Sequence, residues 1–155
     1  MTKTNALRIL EREKIAFTAR EYDISDGEIS GPAVAAKMGQ EPDRVFKTLV
    51  TEGKNSKLYV FVLPSSAELD LKKAAAAADE KQIRMIKSKD LEPKTGYIHG
   101  GCSPVGMKKA YTTFIEESAQ LFETVFVSGG KIGLQVELSP NSLINLCGAA
   151  YADLC

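Results

Sequence analysis

The sequence predicts an α+β fold: one domain over residues 1–155, with a mixed, mostly antiparallel sheet curled into a barrel-like shape and flanked by helices. Three observations lead there. A chain of 155 residues has the length of one ordinary domain. Strand-like and helix-like segments are interspersed along it, with no internal repeat and no Pro/Ser-rich linker. Several strand candidates are joined by short turns, which favours antiparallel pairing over a doubly wound parallel sheet.

Taken in order, Asn5 to Lys14 reads as an amphipathic helix with Ala6, Leu7, Ile9 and Leu10 as its apolar stripe. Ala16 to Asp23 reads as a strand, with Phe17 and Tyr22 as its bulky members. Ser30-Gly31-Pro32 starts a helix: Ser30 can cap, and a proline in the first turn sacrifices no hydrogen bond. That helix stops at Gly39, and Glu41-Pro42-Asp43 opens a short helical turn.

Val45 to Glu52 and Lys57 to Leu63 are the clearest strands, a hairpin with the longer loop Gly53-Lys54-Asn55-Ser56. Asp70 to Ala78 is a helix by propensity, with five consecutive alanines. Gln82 to Ile86 is a short strand. Ser88 to Lys94 is a capped helical turn broken at Pro93, and Gly96 to Gly106 is a glycine-rich loop. Ala110 to Ile115 and Thr124 to Ser128 are strands on either side of a helical turn over Glu116 to Leu121. Leu134 to Leu138 alternates as a strand, and Pro140 to Leu146 is the final helix with Ser139 as its cap.

The charges cancel: 20 Lys+Arg against 20 Asp+Glu, with one His. Neutrality argues against tight, autonomous nucleic-acid binding, because phosphate neutralisation supplies most of that affinity. No apolar run approaches the roughly 18–20 residues of a membrane span. Met1 to Lys14 is polar, unlike a secretory signal. Cys102, Cys147 and Cys155 are an odd set without CxxC spacing, which fits free thiols in a reducing cytosol. One histidine is too few for a His-rich metal site.

Four features carry possible chemistry. Gly129-Gly130-x-x-Gly133 follows a strand, but a strand rather than a helix comes next, so a tight turn is favoured over a dinucleotide loop. Gly101 to Gly106 has the outer spacing of a phosphate loop, yet Met107-Lys108 stands where Lys-Ser/Thr is needed. Cys102 with His99 is a conceivable nucleophile pair, without a third orienting group. Lys47 alternates with Val45 and Leu49 on an apolar strand face. It must snorkel, find a partner or line a cleft.

Val45-Phe46-Lys47-Thr48-Leu49, Leu69-Asp70-Leu71-Lys72-Lys73, Thr95-Gly96-Tyr97 with Gly100 to Gly106, and Val127-Ser128-Gly129-Gly130-Lys131 with Gly133-Leu134 occur in that order. With this ordered set the chain resembles the YbaK/EbsC family of aminoacyl-tRNA deacylases, relatives of the editing domain inserted in bacterial-type prolyl-tRNA synthetase. The resemblance runs from about Ala6 to Asp153 and is closest to the Cys-tRNA(Pro) type. It implies a cytoplasmic translation factor that hydrolyses the ester of misacylated tRNA without metal or cofactor.

The resemblance implies that Lys47 lies against the ester and adenosine end, followed by Thr48. Tyr22 then lines the same pocket. Gly100 and Gly101 bring backbone close to the substrate carbonyl, with Gly101 paired with Lys47 in catalysis. Ser128 precedes the Gly-Gly turn. Relatives often carry an acidic residue where this chain has Gln135, which can still hydrogen-bond substrate but brings no charge.

The chemistry itself needs positioning and oxyanion stabilisation, which backbone N–H groups of a glycine loop can supply. For a cysteinyl ester the resemblance implies attack by the substrate's own thiol. Cys102 is then structural. The implied partners are the acceptor end of misacylated tRNA and prolyl-tRNA synthetase. Local lysines such as Lys47, Lys108, Lys109 and Lys131 would contact the tRNA weakly and salt-sensitively. Two other classes stay open: a binding module that keeps the pocket but not the chemistry, and a thiol enzyme centred on Cys102.

Overall fold

Among the described residues the strands fall into two sheets rather than one. The computed structural model describes residues 3–155, so Met1 and Thr2 of the polar N-terminal stretch lie outside them. The larger sheet contains β2 (Phe46–Glu52), β3 (Leu58–Pro64), β4 (Arg84–Met85), β5 (Thr112–Glu116) and β8 (Ala150–Ala152), in the order β4-β2-β3-β5-β8. The smaller holds β1 (Phe17–Glu21), β6 (Val125–Ser128) and β7 (Leu134–Leu138), in the order β1-β7-β6. The α-helices are α1 (Asn5–Arg12), α2 (Gly31–Lys37), α3 (Leu71–Ala77), α4 (Ser88–Thr95) and α5 (Pro140–Cys147).

The expected hairpin forms, with Phe46 opposite Pro64 and Glu52 opposite Leu58. β3 is buried at every position, which is why its sequence is an unbroken apolar run rather than an alternation. The sheet is mixed: β3–β5 and β5–β8 are parallel, and the other ladders are antiparallel. The two sheets touch through one isolated parallel bridge, Val45 with Phe126. No closed barrel is formed among the described residues, because β2 and β6 share no hydrogen-bonded ladder beyond that bridge.

The main core lies between the sheets. Val125, Val127, Leu134, Val136 and Leu138 of the small sheet meet Phe46, Val50, Val60, Val62 and Ile115 of the large one. α1 adds Ala6, Leu7 and Leu10, and its cap Thr4 also donates to the Gly129 carbonyl at 2.5 Å. On the other face of the large sheet the small alanines Ala74 and Ala75 of α3 sit close to Tyr59, Phe61 and Leu63. Ser30, Asp70 and Ser139 cap their helices as expected.

Two expectations need correction. α4 runs through Pro93 to Thr95 and ends at Gly96 in the left-handed region. Proline removes one interior hydrogen bond, and Glu92 to Lys94 are exposed, so solvent can replace it. Its first flanking residue is Lys87, and Ser88 does not cap it. The second correction is β8, a strand beyond the helix expected to be last, which pairs with Phe114 to Glu116. No helix among the described residues is long and apolar enough to cross a membrane.

A charged knot locks the junction of the sheets. Arg44 and Arg20 donate to opposite oxygens of Glu137 at 3.0 and 3.2 Å, and Thr124 adds a hydroxyl at 2.7 Å. Both guanidinium groups lie over the Phe126 ring. The Thr124 hydroxyl first, and then Arg20, hold the Glu137 carboxyl below its ordinary range against the opposing effect of burial. A lowered pKa stabilises the fold above the unfolded value and loses that contribution as pH falls through the folded one. Glu137→Gln is therefore expected to lose about 1–2 kcal/mol at neutral pH. The gap to wild type should close below about pH 4.5, read by denaturant melts across pH.

Candidate active site

The cleft lies along β2, where its ladder to β6 stops. Past the Val45–Phe126 bridge, β6 stays with β7, placing Ser128 opposite Gln135, while β2 stays with β3. β4 pairs with β2 only at Thr51 and Glu52, and the Val50 carbonyl takes the Ile86 amide at 3.1 Å. Alternate residues of an antiparallel strand point their peptide groups to the same edge. Thr48 thus turns its backbone toward the same edge as Val50, beyond the reach of β4. A cleft of about 840 Å³ opens there.

Tyr22, Lys47, Thr48, Gly100, Ser128 and Gln135 all line this cleft. Residues 113 positions apart are brought together, from Tyr22 on the β1 side to Gln135 on β7. Lys47 is half-buried, and its Nζ donates to the Ala67 carbonyl at 2.5 Å. Among the described residues it has no ion-pair partner. The ammonium thus has a holder that does not cancel its charge.

Three buried side-chain oxygens lack a hydrogen-bond partner among the described residues, and two belong to cleft walls: Thr48 Oγ1 and Gln135 Oε1. Leaving such an atom unpaired costs about 1–3 kcal/mol, which is tolerable where a ligand supplies the partner. Ser128 Oγ accepts from the Gly130 amide at 3.1 Å, holding the turn in place.

Gly101 is the expected site residue that does not line the cleft. Its N–H donates to the Ile98 carbonyl at 3.0 Å, inside the loop. A Cβ on Gly101 would lie 2.9 Å from both Ile132 N and Lys131 Cα, so its missing side chain allows two backbones to touch. The neighbouring Gly100, at φ +87°, faces the cleft, and its N–H has no partner among the described residues.

Cys102 also lines the cleft but is 8% exposed. Burial pushes its thiol up to about 12, only partly offset by the Thr95 hydroxyl. A thiol so raised is neutral at physiological pH and a poor nucleophile. No hydrogen bond joins it to His99. Cys102→Ala is expected to keep near wild-type deacylation, measured as ester loss from charged tRNA, and native protein should resist alkylation at Cys102 near neutral pH. The Gly129 to Gly133 segment is the β6–β7 turn, with no helix after it.

A family model for the aminoacyl-tRNA editing domain matches residues 30–146. The chain belongs to this family. Of the cleft residues above, only Tyr22 falls outside the matched stretch of the editing domain. A candidate Cys-tRNA(Pro)/Cys-tRNA(Cys) deacylase of Enterococcus faecalis, EbsC, is 44% identical over 152 residues, spanning 98% of this chain and 93% of that one. The YbaK/EbsC resemblance read from the ordered motifs and the expectation of an aminoacyl-tRNA deacylase agree with both findings.

Solved structures share the editing-domain fold. A candidate trans-editing enzyme for prolyl-tRNA synthetase superimposes with a TM-score of 0.85 at 24% identity, over 99% of this chain and 98% of that one. A hypothetical protein does so with a TM-score of 0.88 at 20% identity, over 97% and 99%. Sequence reasoning did not single out the walls that α2 and α4 contribute, such as Val34 and Lys89. Lys108, Lys109 and Lys131 stand outside the cleft, and Lys89 is the added lysine that lines it.

Proposed function

We propose that this editing domain, acting as one unit over residues 1–155, hydrolyses the ester bond of misacylated tRNA in trans, with Cys-tRNA(Pro) as its main substrate. The observation that carries the reading is the composition of the cleft. Lys47, which has no ion-pair partner among the described residues, Gly100 with its unpaired amide, and Thr48 and Gln135 with their unpaired oxygens all line one cleft, and Cys102, the thiol among its lining residues, is held neutral by burial.

In this reading the ester carbonyl lies between Lys47 and the Gly100 amide. Both donate to the oxygen as it gains negative charge. The α-ammonium of the substrate is held by Gln135, whose Oε1 lacks a partner among the described residues, Thr48 offers its backbone at the open edge of β2, and Tyr22 closes the pocket over the amine. Ser128 fixes the turn that carries Gln135's neighbour strand and offers its hydroxyl to the substrate. Gly101 serves by packing, which sets the height of Gly100.

The substrate thiol supplies the nucleophile. Its sulfur bonds to its own carbonyl carbon, the bond from that carbon to the ribose oxygen breaks, and the thiol proton ends on the ribose hydroxyl. The resulting four-membered thiolactone then adds water to give free cysteine. Holding sulfur and carbonyl in attack geometry is the enzyme's main contribution. The neutral chain binds tRNA loosely and takes tRNA selectivity from prolyl-tRNA synthetase.

A panel of tRNA(Pro) charged with cysteine, alanine or proline tests this. Multiple turnovers on the cysteinyl species, with slower loss of alanine and proline, are expected. Binding of all three without ester loss would make the chain a sensor instead.

A further inference from the structure

Two residues that line the cleft, Tyr22 and Ile29, are the ends of the loop between β1 and α2. Residues 23–28 of that loop are all exposed, so no buried side chain of their own fixes it. Ordering an exposed stretch costs backbone entropy, which contacts at a few points must offset. Among the described residues, only Lys37 of α2 reaches residues 23–29 with hydrogen bonds from outside them.

The Lys37 ammonium donates to the Asp23 carbonyl at 2.7 Å, to Asp26 Oδ1 at 2.7 Å and to the Glu28 carbonyl at 2.8 Å. An ammonium has three donors, and this one spends all three on a single loop. The Lys37 side chain is only 19% exposed, while the loop that it ties lies in solvent. The loop also shapes itself for the contact. The Ser25 amide donates to Asp23 Oδ1 and the Glu28 amide to Asp26 Oδ1, each at 3.0 Å.

What the loop touches gives the tie its consequence. A Cβ on Gly100 would lie 3.1 Å from Ile29 Cδ1 and 3.4 Å from Ile132 Cγ1. A Cβ on Gly133 would lie 3.3 Å from Ile24 Cγ2 and 3.6 Å from the Tyr22 carbonyl oxygen. The loop therefore rests on two glycines, one in the glycine loop and one in the β6–β7 turn. The Gly100 N–H makes no hydrogen bond among the described residues, so its place depends on this packing.

We propose that Lys37 is a positioning residue for ester hydrolysis: it ties the β1–α2 loop so that Ile29 seats the Gly100 amide in the cleft. This rests on the editing reading, which gives that amide the developing oxyanion. Lys37 is not among the residues that line the cleft, so it acts through the loop.

The test measures kcat and KM on Cys-tRNA(Pro) with the full chain. Lys37→Met keeps the length of the side chain and removes its donors. It should lower kcat by about 10- to 100-fold, the scale of a small misplacement at a reacting centre, and leave KM within about twofold. Ile29→Ala should act the same way. Both work through one contact, so the double variant should be no slower than the slower single one. The loop is exposed, so all three should melt close to wild type. A second readout needs no substrate. In Lys37→Met the amide resonances of Gly100 and Gly101 should shift. Exchange at the Gly27 amide, bonded to the Ile24 carbonyl at 3.1 Å, should quicken by about tenfold.

Wild-type kcat in Lys37→Met, losses that multiply in the double variant, or a change confined to the melting temperature would overturn the proposal. If wild type hydrolyses no ester, the editing reading fails, and the two glycine resonances decide on the tie by themselves. Unmoved resonances overturn the tie as well, and shifted ones uphold it.

Discussion

Lys47→Ala is expected to slow Cys-tRNA(Pro) hydrolysis by about 100- to 1,000-fold, the usual loss when one donor to a developing oxyanion is removed. The prediction follows from how the amine is held. Ala67 offers only a neutral carbonyl to Nζ, at 2.5 Å, so the positive charge is placed without being cancelled. A lysine on the rim of a sheet would give a small change instead. Lys47→Met separates charge from packing, because it keeps most of the stem. It should lose nearly as much rate as the alanine variant while melting close to wild type. Single-turnover rates on pre-bound tRNA locate the loss in the chemical step.

Gly101→Ala should damage activity almost as severely, by a different route. The substitution keeps the N–H but adds a Cβ 2.9 Å from the Ile132 amide nitrogen. That backbone has little freedom to yield, since the turn is closed by Gly129 N to Leu134 O at 2.9 Å and Leu134 N to Lys131 O at 3.3 Å. The glycine loop must move instead, and Gly100 moves with it. The overpacking should cost about 1–3 kcal/mol of stability. A melt together with kcat on Cys-tRNA(Pro) checks both effects. Wild-type activity would show that the loop adapts and that its position is not critical.

Much of the local structure is legible in the residues. The helix caps follow from Ser30, Asp70 and Ser139, and the hairpin from two β-rich runs around a four-residue loop. What is not legible depends on distant partners. β8 is three short residues, Ala150–Ala152, that become a strand only because the edge of β5 is free. The split into two sheets depends on where Val45 meets Phe126, a contact 81 positions apart that no periodicity encodes.

The site shows the same division. Lys47 stands out in the sequence because a charge interrupts an apolar face. Gln135 and Ser128 are noticeable only through the family resemblance, and the fold then places them opposite one another. The resemblance implies backbone close to the substrate carbonyl at both Gly100 and Gly101. A glycine kept for close backbone approach and one kept for an open amide look alike in sequence, and the Ile98 carbonyl decides between them. α4 contributes a wall that no motif marks, since its lysines and acids read as an ordinary solvated helix.

The most direct measurement compares ester loss from Cys-tRNA(Pro) with loss from the same tRNA carrying S-methylcysteine, under multiple turnover. The two differ only at the sulfur that is proposed to attack. Rapid loss of cysteine, with the methylated species decaying near its spontaneous rate, is the predicted result. Equal, rapid loss of both would contradict attack by the substrate thiol, and no acceleration of either would contradict deacylation itself.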